Sequence, residues 1–119
     1  MIGQSQKQYT EEEGMVVLRK FMGKQFVFYN TPTINAVADE IFRDNYKIFE
    51  KGIPFEPGDI VVDVGANEGV FSIMIAKLFP FVKILAFEPV PRTFFQMVRN
   101  IGYNAVSNIY PYCKGVGKL

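Results

Sequence analysis

Hydrophobic positions change period along the chain, and each change marks an element. Met15 to Leu18 and Phe26 to Tyr29 are apolar runs on either side of Gly23-Lys24, which predicts a β-hairpin. Asn30-Thr31-Pro32-Thr33 breaks the pattern. Ile34, Val37, Ala38, Ile41 and Phe42 then recur at helical spacing and form one apolar stripe, with Asp39, Glu40 and Arg43 off it. Asp44-Asn45 and Gly52 are expected to loosen the segment that follows, although Tyr46, Ile48 and Phe49 offer anchors. Pro54 and Pro57-Gly58 punctuate the entry to the second half. Residues 1–14 are polar and read as a solvated arm, although Thr10 and Glu13 have the spacing of a capping box.

The second half has a different rhythm. Ile60-Val61-Val62-Asp63-Val64 is a β-branched run whose only polar residue is Asp63, as expected of a parallel strand buried on both faces. A helix is predicted from about Glu68 to Phe79, with Val70, Ile73, Met74 and Leu78 toward the sheet and Pro80 as its stop. Val82 to Phe87 is a second strand. Pro91 opens another helix that buries Phe94, Phe95, Val98 and Ile101 and is capped by Gly102. A third strand covers Val106 to Tyr112, and Pro111 within it assigns that strand to a sheet edge. Right-handed crossovers order these strands 3-2-1. The fold class is therefore α/β: a Rossmann-like parallel sheet in residues 57–119, preceded by an arm, hairpin and helix in residues 1–56.

Composition removes several classes of function. Hydrophobic residues make up 49% of the chain and charged residues 21%, enough apolar material for a core. A formal net charge of +1 gives no basic field for a nucleic-acid partner. No apolar run approaches the ~20 residues of a membrane span. The single cysteine, Cys113, cannot form an internal disulfide, and the amino terminus has no signal-peptide core, so the expected location is the cytoplasm. The chain has no histidine, which removes the commonest general base, and no metal site is expected.

The chemistry gathers where the first strand meets its helix. Asp63 closes the strand, Gly65-Ala66-Asn67-Glu68-Gly69 forms a turn, and the amides opening the helix suit an anionic group. Glu88 closes the next strand about twenty residues beyond Gly65, the offset at which a carboxylate accepts from ribose hydroxyls. The dinucleotide fingerprint would have a glycine where Asn67 stands, and no Gly-Lys-Ser/Thr follows to make a P-loop. Asp63 either touches a cofactor or holds the loop's N–H groups, and Asn67 is a helix cap, a ligand contact, or both. The aromatic residues Phe71, Phe79, Phe81, Phe87, Phe94 and Phe95 read as core, and Tyr110 and Tyr112 as edge packing.

Val62-Asp63-Val64-Gly65-Ala66-Asn67-Glu68-Gly69 and Phe87-Glu88-Pro89-Val90-Pro91 together resemble the FkbM-type methyltransferases dependent on S-adenosylmethionine. Asn100, Asn104, Ile41-Phe42 and Pro57-Gly58-Asp59 extend the likeness, which spans about residues 38 to 117. Glu68 departs from it, standing where the family often has an apolar residue. The resemblance implies a class I methyltransferase fold and methylation of a hydroxyl on a glycan or small molecule. It carries cofactor contact to Asp63, Gly65, Ala66, Asn67, Gly69, Glu88 and Pro89 and identifies no catalytic residue. It also implies further strands beyond the third, so the chain is expected to supply the cofactor half alone. Two other readings stand beside it: a non-catalytic remnant, and a nucleotide-binding enzyme such as a nicotinamide oxidoreductase. Without a further strand beside it, Ile60 to Val64 would be an open edge, and self-association there is expected. Glu88→Ala is expected to cost ligand affinity while leaving the melting temperature of the free protein nearly unchanged.

Overall fold

A computed structural model describes residues 5–6 and 16–117, in two compact units divided between Pro54 and Phe55. In the first unit, β1 (Ser5–Gln6), β2 (Val16–Phe21) and β3 (Lys24–Tyr29) form an antiparallel sheet in that order, followed by α1 (Ile34–Phe49). Phe21 pairs with Lys24, so the hairpin turn is Met22-Gly23, one residue earlier than the sequence suggests. Both turn residues have positive φ, 49° and 80°, the combination that matches the twist of the flanking strands. Ser5 pairs with Arg19 and Gln6 with Leu18, so these two residues are a third strand and not part of a solvated arm. The capping-box pair Thr10 and Glu13 lies outside the described residues.

The α1 stripe is buried at Ile34, Ala38 and Phe42, and the Phe42 ring stacks on Phe21 at 4.6 Å between centroids. The helix does not loosen at Asp44-Asn45 but continues to Phe49. Asn45 Nδ2 donates to the Ile41 carbonyl at 2.7 Å, so its amide bonds back along the helix instead of breaking it. Arg19 is fully buried on the inner face of β2. Its guanidinium ion-pairs with Asp39, donates to both the carbonyl and the side chain of Asn35, and lies 5.7 Å from the Phe42 ring centroid. Asp39, off the apolar stripe, thus serves as counter-ion to a charge that water does not reach.

In the second unit, β4 (Ile60–Val64), β5 (Lys83–Phe87) and β6 (Ile109–Tyr112) form a parallel sheet in the order β4-β5-β6, linked by α2 (Val70–Leu78) and α3 (Pro91–Asn104). This is the predicted 3-2-1 order, with Pro111 on the edge strand opposite Ala86. Ile84, Ala86 and Ile109 are buried on the side where α2 and α3 pack. The opposite side is open. Ile60, Val62 and Val64 are 59%, 53% and 60% exposed, which corrects the expectation that β4 is buried on both faces. Phe87 and Tyr112 stack at 5.0 Å on that same side, and Tyr110 and Tyr112 are exposed there.

Two helix readings also change. α2 begins at Val70 and not at Glu68, because Gly69 is its left-handed N-cap at φ 91°. α3 buries Met97, Asn100 and Asn104 but leaves Phe95 67% and Val98 40% exposed, and its C-cap is Ala105, not Gly102. The apolar side chains thus mispredicted the inward face of α3, which carries two asparagines with hydrogen-bonding duties.

Candidate functional site

The site is assembled where β4 and β5 end side by side. Val64 pairs with Phe87, so the chain leaves both strands at the same level and the glycine turn sits against Glu88. The Phe87 carbonyl accepts from the amides of both Gly65 and Ala66, each at 2.9 Å. Asn67, with φ 53°, sends its amide to Glu88 Oε1 at 2.8 Å, and Val90 sends its own to Glu88 Oε2 at 3.1 Å. Gly69 closes the turn by donating to Ala66 O at 2.9 Å. The amides at 65, 66, 67 and 69 therefore all donate within the chain, upstream of the first helical residue, Val70.

The two acids have different surroundings. Glu88 is 4% exposed and locked by two backbone donors, so its carboxylate has a fixed orientation. Each oxygen keeps acceptor capacity beyond the N–H it already holds, which fits a pair of hydroxyls. Asp63 is half-buried at the end of β4 and accepts a 2.6 Å hydrogen bond from the hydroxyl of Ser72 on α2. Burial raises the Asp63 pKa above the ordinary carboxylate value. The Ser72 hydrogen bond works against that rise, and the negative charge of Glu88 adds to it.

Ser72 is the residue that sequence reasoning missed. It is fully buried, and it is the only polar residue between Val70 and Ala76. That isolation was the available signal, since a buried hydroxyl needs a partner. Asn100, which stands out in the sequence only by its family likeness, is also fully buried and donates to the Glu68 carbonyl at 2.8 Å. Ala66 is buried in the turn, and Pro89 Cβ lies 3.8 Å from where a Cβ on Gly115 would stand. Cys113 is an exposed free thiol. Among the described residues there is no cluster of acids or cysteine able to hold a metal ion, and no helix long and apolar enough to cross a membrane.

Asp63 and Ser72 make a pH prediction. Between the ordinary carboxylate value of 3.8 and the raised folded value, the folded chain holds a proton that the unfolded chain has released. The contribution of Asp63 to stability therefore falls as pH rises through that window and is regained on acidification. Ser72→Ala removes the hydrogen bond that lowers the pKa, so the Asp63 carboxyl carbon should titrate at higher pH in the variant by NMR. An unmoved titration would mean that the hydroxyl does not tune the acid.

A parallel sheet with a glycine turn, an acid at the end of each of two neighbouring strands, and helices returning on one side is the class I architecture of S-adenosylmethionine-dependent methyltransferases. The structure of M. jannaschii TYW2 in complex with AdoMet superposes with a TM-score of 0.52 at 21% identity, over 81% of this chain and 42% of that one. No family model matches the chain. Its curated relatives include three that are methyltransferases by name and one, the AMB antimetabolite synthetase AmbE of Pseudomonas aeruginosa, that is not. "Methyltransferase 1" of Beauveria bassiana is 34% identical over 85 residues, which is 71% of this chain and 33% of the relative. The 31-O-demethyl-FK506 methyltransferase FkbM of Streptomyces tacrolimicus is 36% identical over 74 residues, 62% of this chain and 28% of the relative. The chain thus spans about a third of the length of these relatives, and they match the resemblance its two motifs carry.

Proposed function

We propose that this chain is the cofactor-binding part of an S-adenosylmethionine-dependent methyltransferase that methylates a hydroxyl of a small molecule or glycan. The observation that carries the reading is the Glu88 carboxylate, oriented by the amides of Asn67 and Val90 at the carboxyl end of β5, beside the glycine turn. Glu88 would take the ribose hydroxyls, Gly65 would let the methionine portion pass, and Asp63 and Asn67 would line its polar end. A Cβ on Gly65 would have nothing within 4 Å, so the backbone there faces open space, which supports this reading. When bound, S-adenosylmethionine supplies a methyl group on a sulfonium, ready for in-line displacement by an oxygen. The chain's part is to hold and orient it, which can contribute much of the rate. A relative named for a 31-O-demethyl acceptor supports a hydroxyl as the target, and the net charge of +1 supports an acceptor other than nucleic acid. Isothermal titration of the chain with S-adenosylhomocysteine and with NAD tests the reading. Binding of the first and not the second is expected. The reverse would favour an oxidoreductase, and binding of neither a non-catalytic remnant.

We also propose that the isolated chain self-associates through β4. Among the described residues β4 pairs only with β5, so its outer edge carries a row of backbone donors and acceptors next to exposed Ile60, Val62 and Val64. Such an edge invites pairing. Light scattering after size exclusion should give a dimer or larger, and Val62→Glu should shift the mass toward monomer with little change in melting temperature. A monomeric parent chain at micromolar concentration would sink this proposal.

A further inference from the structure

The glycine turn is held from two sides, and only one belongs to the strands. Its first residues are fixed to β5, through the Phe87 carbonyl and Glu88. Its last residues are fixed to α3. Asn100 Nδ2 donates to the carbonyl of Glu68 at 2.8 Å, and Gly69 lies so close to the helix that a Cβ there would stand 2.9 Å from Met97 Cγ. Met97 and Asn100 are both fully buried and lie three apart on one face of the helix. One turn further on, Asn104 Nδ2 donates to Asn100 O at 2.8 Å and Asn104 Oδ1 accepts from Lys77 Nζ of α2 at 3.1 Å. A buried amide is a costly way to fill space, because an apolar side chain would pack there with no hydrogen bonds to satisfy. Its presence is explained by the carbonyl it holds.

We infer that Asn100 is a positioning residue for the cofactor site. By fixing the Glu68 carbonyl it sets the shape of the turn in which the left-handed Asn67 delivers its amide to Glu88. This rests on the cofactor reading above only for its effect on affinity; the effect on the turn is independent of any ligand.

Three variants of the full chain separate the outcomes: Asn100→Ala, Asn100→Asp and, as a control on the same helix, Val98→Ala, whose side chain is exposed. Affinity for S-adenosylhomocysteine is read by titration calorimetry on protein shown folded by circular dichroism, and amide hydrogen exchange at Asn67 and Gly69 is read by NMR. Asn100→Ala should weaken binding about tenfold, the value of one buried hydrogen bond. It should also speed exchange at Asn67 more than in the centre of β5. Asn100→Asp presents an acceptor to the Glu68 carbonyl, so it should bind more weakly still at neutral pH. Relative to the parent chain, it should recover as pH falls and the new carboxyl gains a proton to donate. A lowered melting temperature with parent-like affinity in the folded protein and parent-like exchange at Asn67 would overturn the inference. If the parent chain binds no S-adenosylhomocysteine but Asn100→Ala still speeds exchange at Asn67, the cofactor reading fails while the positioning role stands.

Discussion

Glu88→Ala is expected to weaken S-adenosylhomocysteine binding at least tenfold and also to lower the melting temperature of the free protein. The second half of that result reverses what the sequence suggests, where Glu88 looks like an acid waiting at a strand end for its ligand. In the structure the carboxylate is 4% exposed and already accepts from Asn67 and Val90. Removing it takes the acceptor from two part-buried backbone hydrogen bonds, those of the Asn67 and Val90 amides, a loss of about 2 kcal/mol at roughly 1 kcal/mol each. For a unit of this size that corresponds to roughly 10 °C. Loss of affinity has a separate origin in the hydroxyls that the carboxylate would accept, each such charge-assisted bond being worth roughly 1.5–3 kcal/mol. Glu88→Gln separates the two effects. It keeps one acceptor oxygen and turns an N–H toward the other donor, so its stability should fall between those of the parent chain and Glu88→Ala. Calorimetric melting together with titration of each variant checks both. Unchanged affinity in folded Glu88→Ala would remove Glu88 from the ribose; an unchanged melting temperature would mean that the two backbone bonds contribute nothing.

The same residue shows how far the sequence reaches. Strand and helix periods are local, and they located β4, α2, β5 and α3 to within a few residues. The spacing from Gly65 to Glu88 is also a local property of one strand–helix–strand unit, and the structure brings Asn67 and Glu88 into hydrogen-bond contact across it. Pairings that depend on how separate elements meet were not legible. Arg19 with Asp39 and Asp63 with Ser72 join two side chains, and Asn100 joins its side chain to the Glu68 backbone carbonyl, all at spacings that follow no period. The misread face of α3 has the same cause: Phe95 and Val98 look like core, but Asn100 and Asn104 take the inward positions because the turn and α2 need their amides. The open side of the sheet was hidden for another reason. Ile60, Val62 and Val64 have the composition of a strand covered on both faces, and composition does not say whether the cover is supplied within these residues.

Valine placed at Gly65 and at Gly69 should fail in opposite ways, although the positions are four apart and both glycines have positive φ, 72° and 91°. Each substitution carries the strain of a β-branched residue in the left-handed region, about 1–2 kcal/mol. At Gly65 little is added, since a Cβ has nothing within 4 Å. The variant should fold with a modest loss of stability and lose S-adenosylhomocysteine binding, because the side chain occupies the space assigned to the ligand. At Gly69 the new Cβ meets Met97 Cγ at 2.9 Å and Ile73 Cδ1 at 3.4 Å inside the packed helix layer. Overpacking adds about 1–3 kcal/mol, so Gly69→Val should be the less stable of the two by at least 1 kcal/mol. Trimming the obstacle tests the cause: Gly69→Val with Met97→Ala should be more stable than the two single effects add up to, a coupling expected only of residues in contact. Denaturant melts of the four proteins in that cycle measure the coupling. Additive effects would show that the turn does not press on α3 at Gly69. Binding retained by folded Gly65→Val would make Gly65 a residue of the turn alone, with no ligand passing beside it.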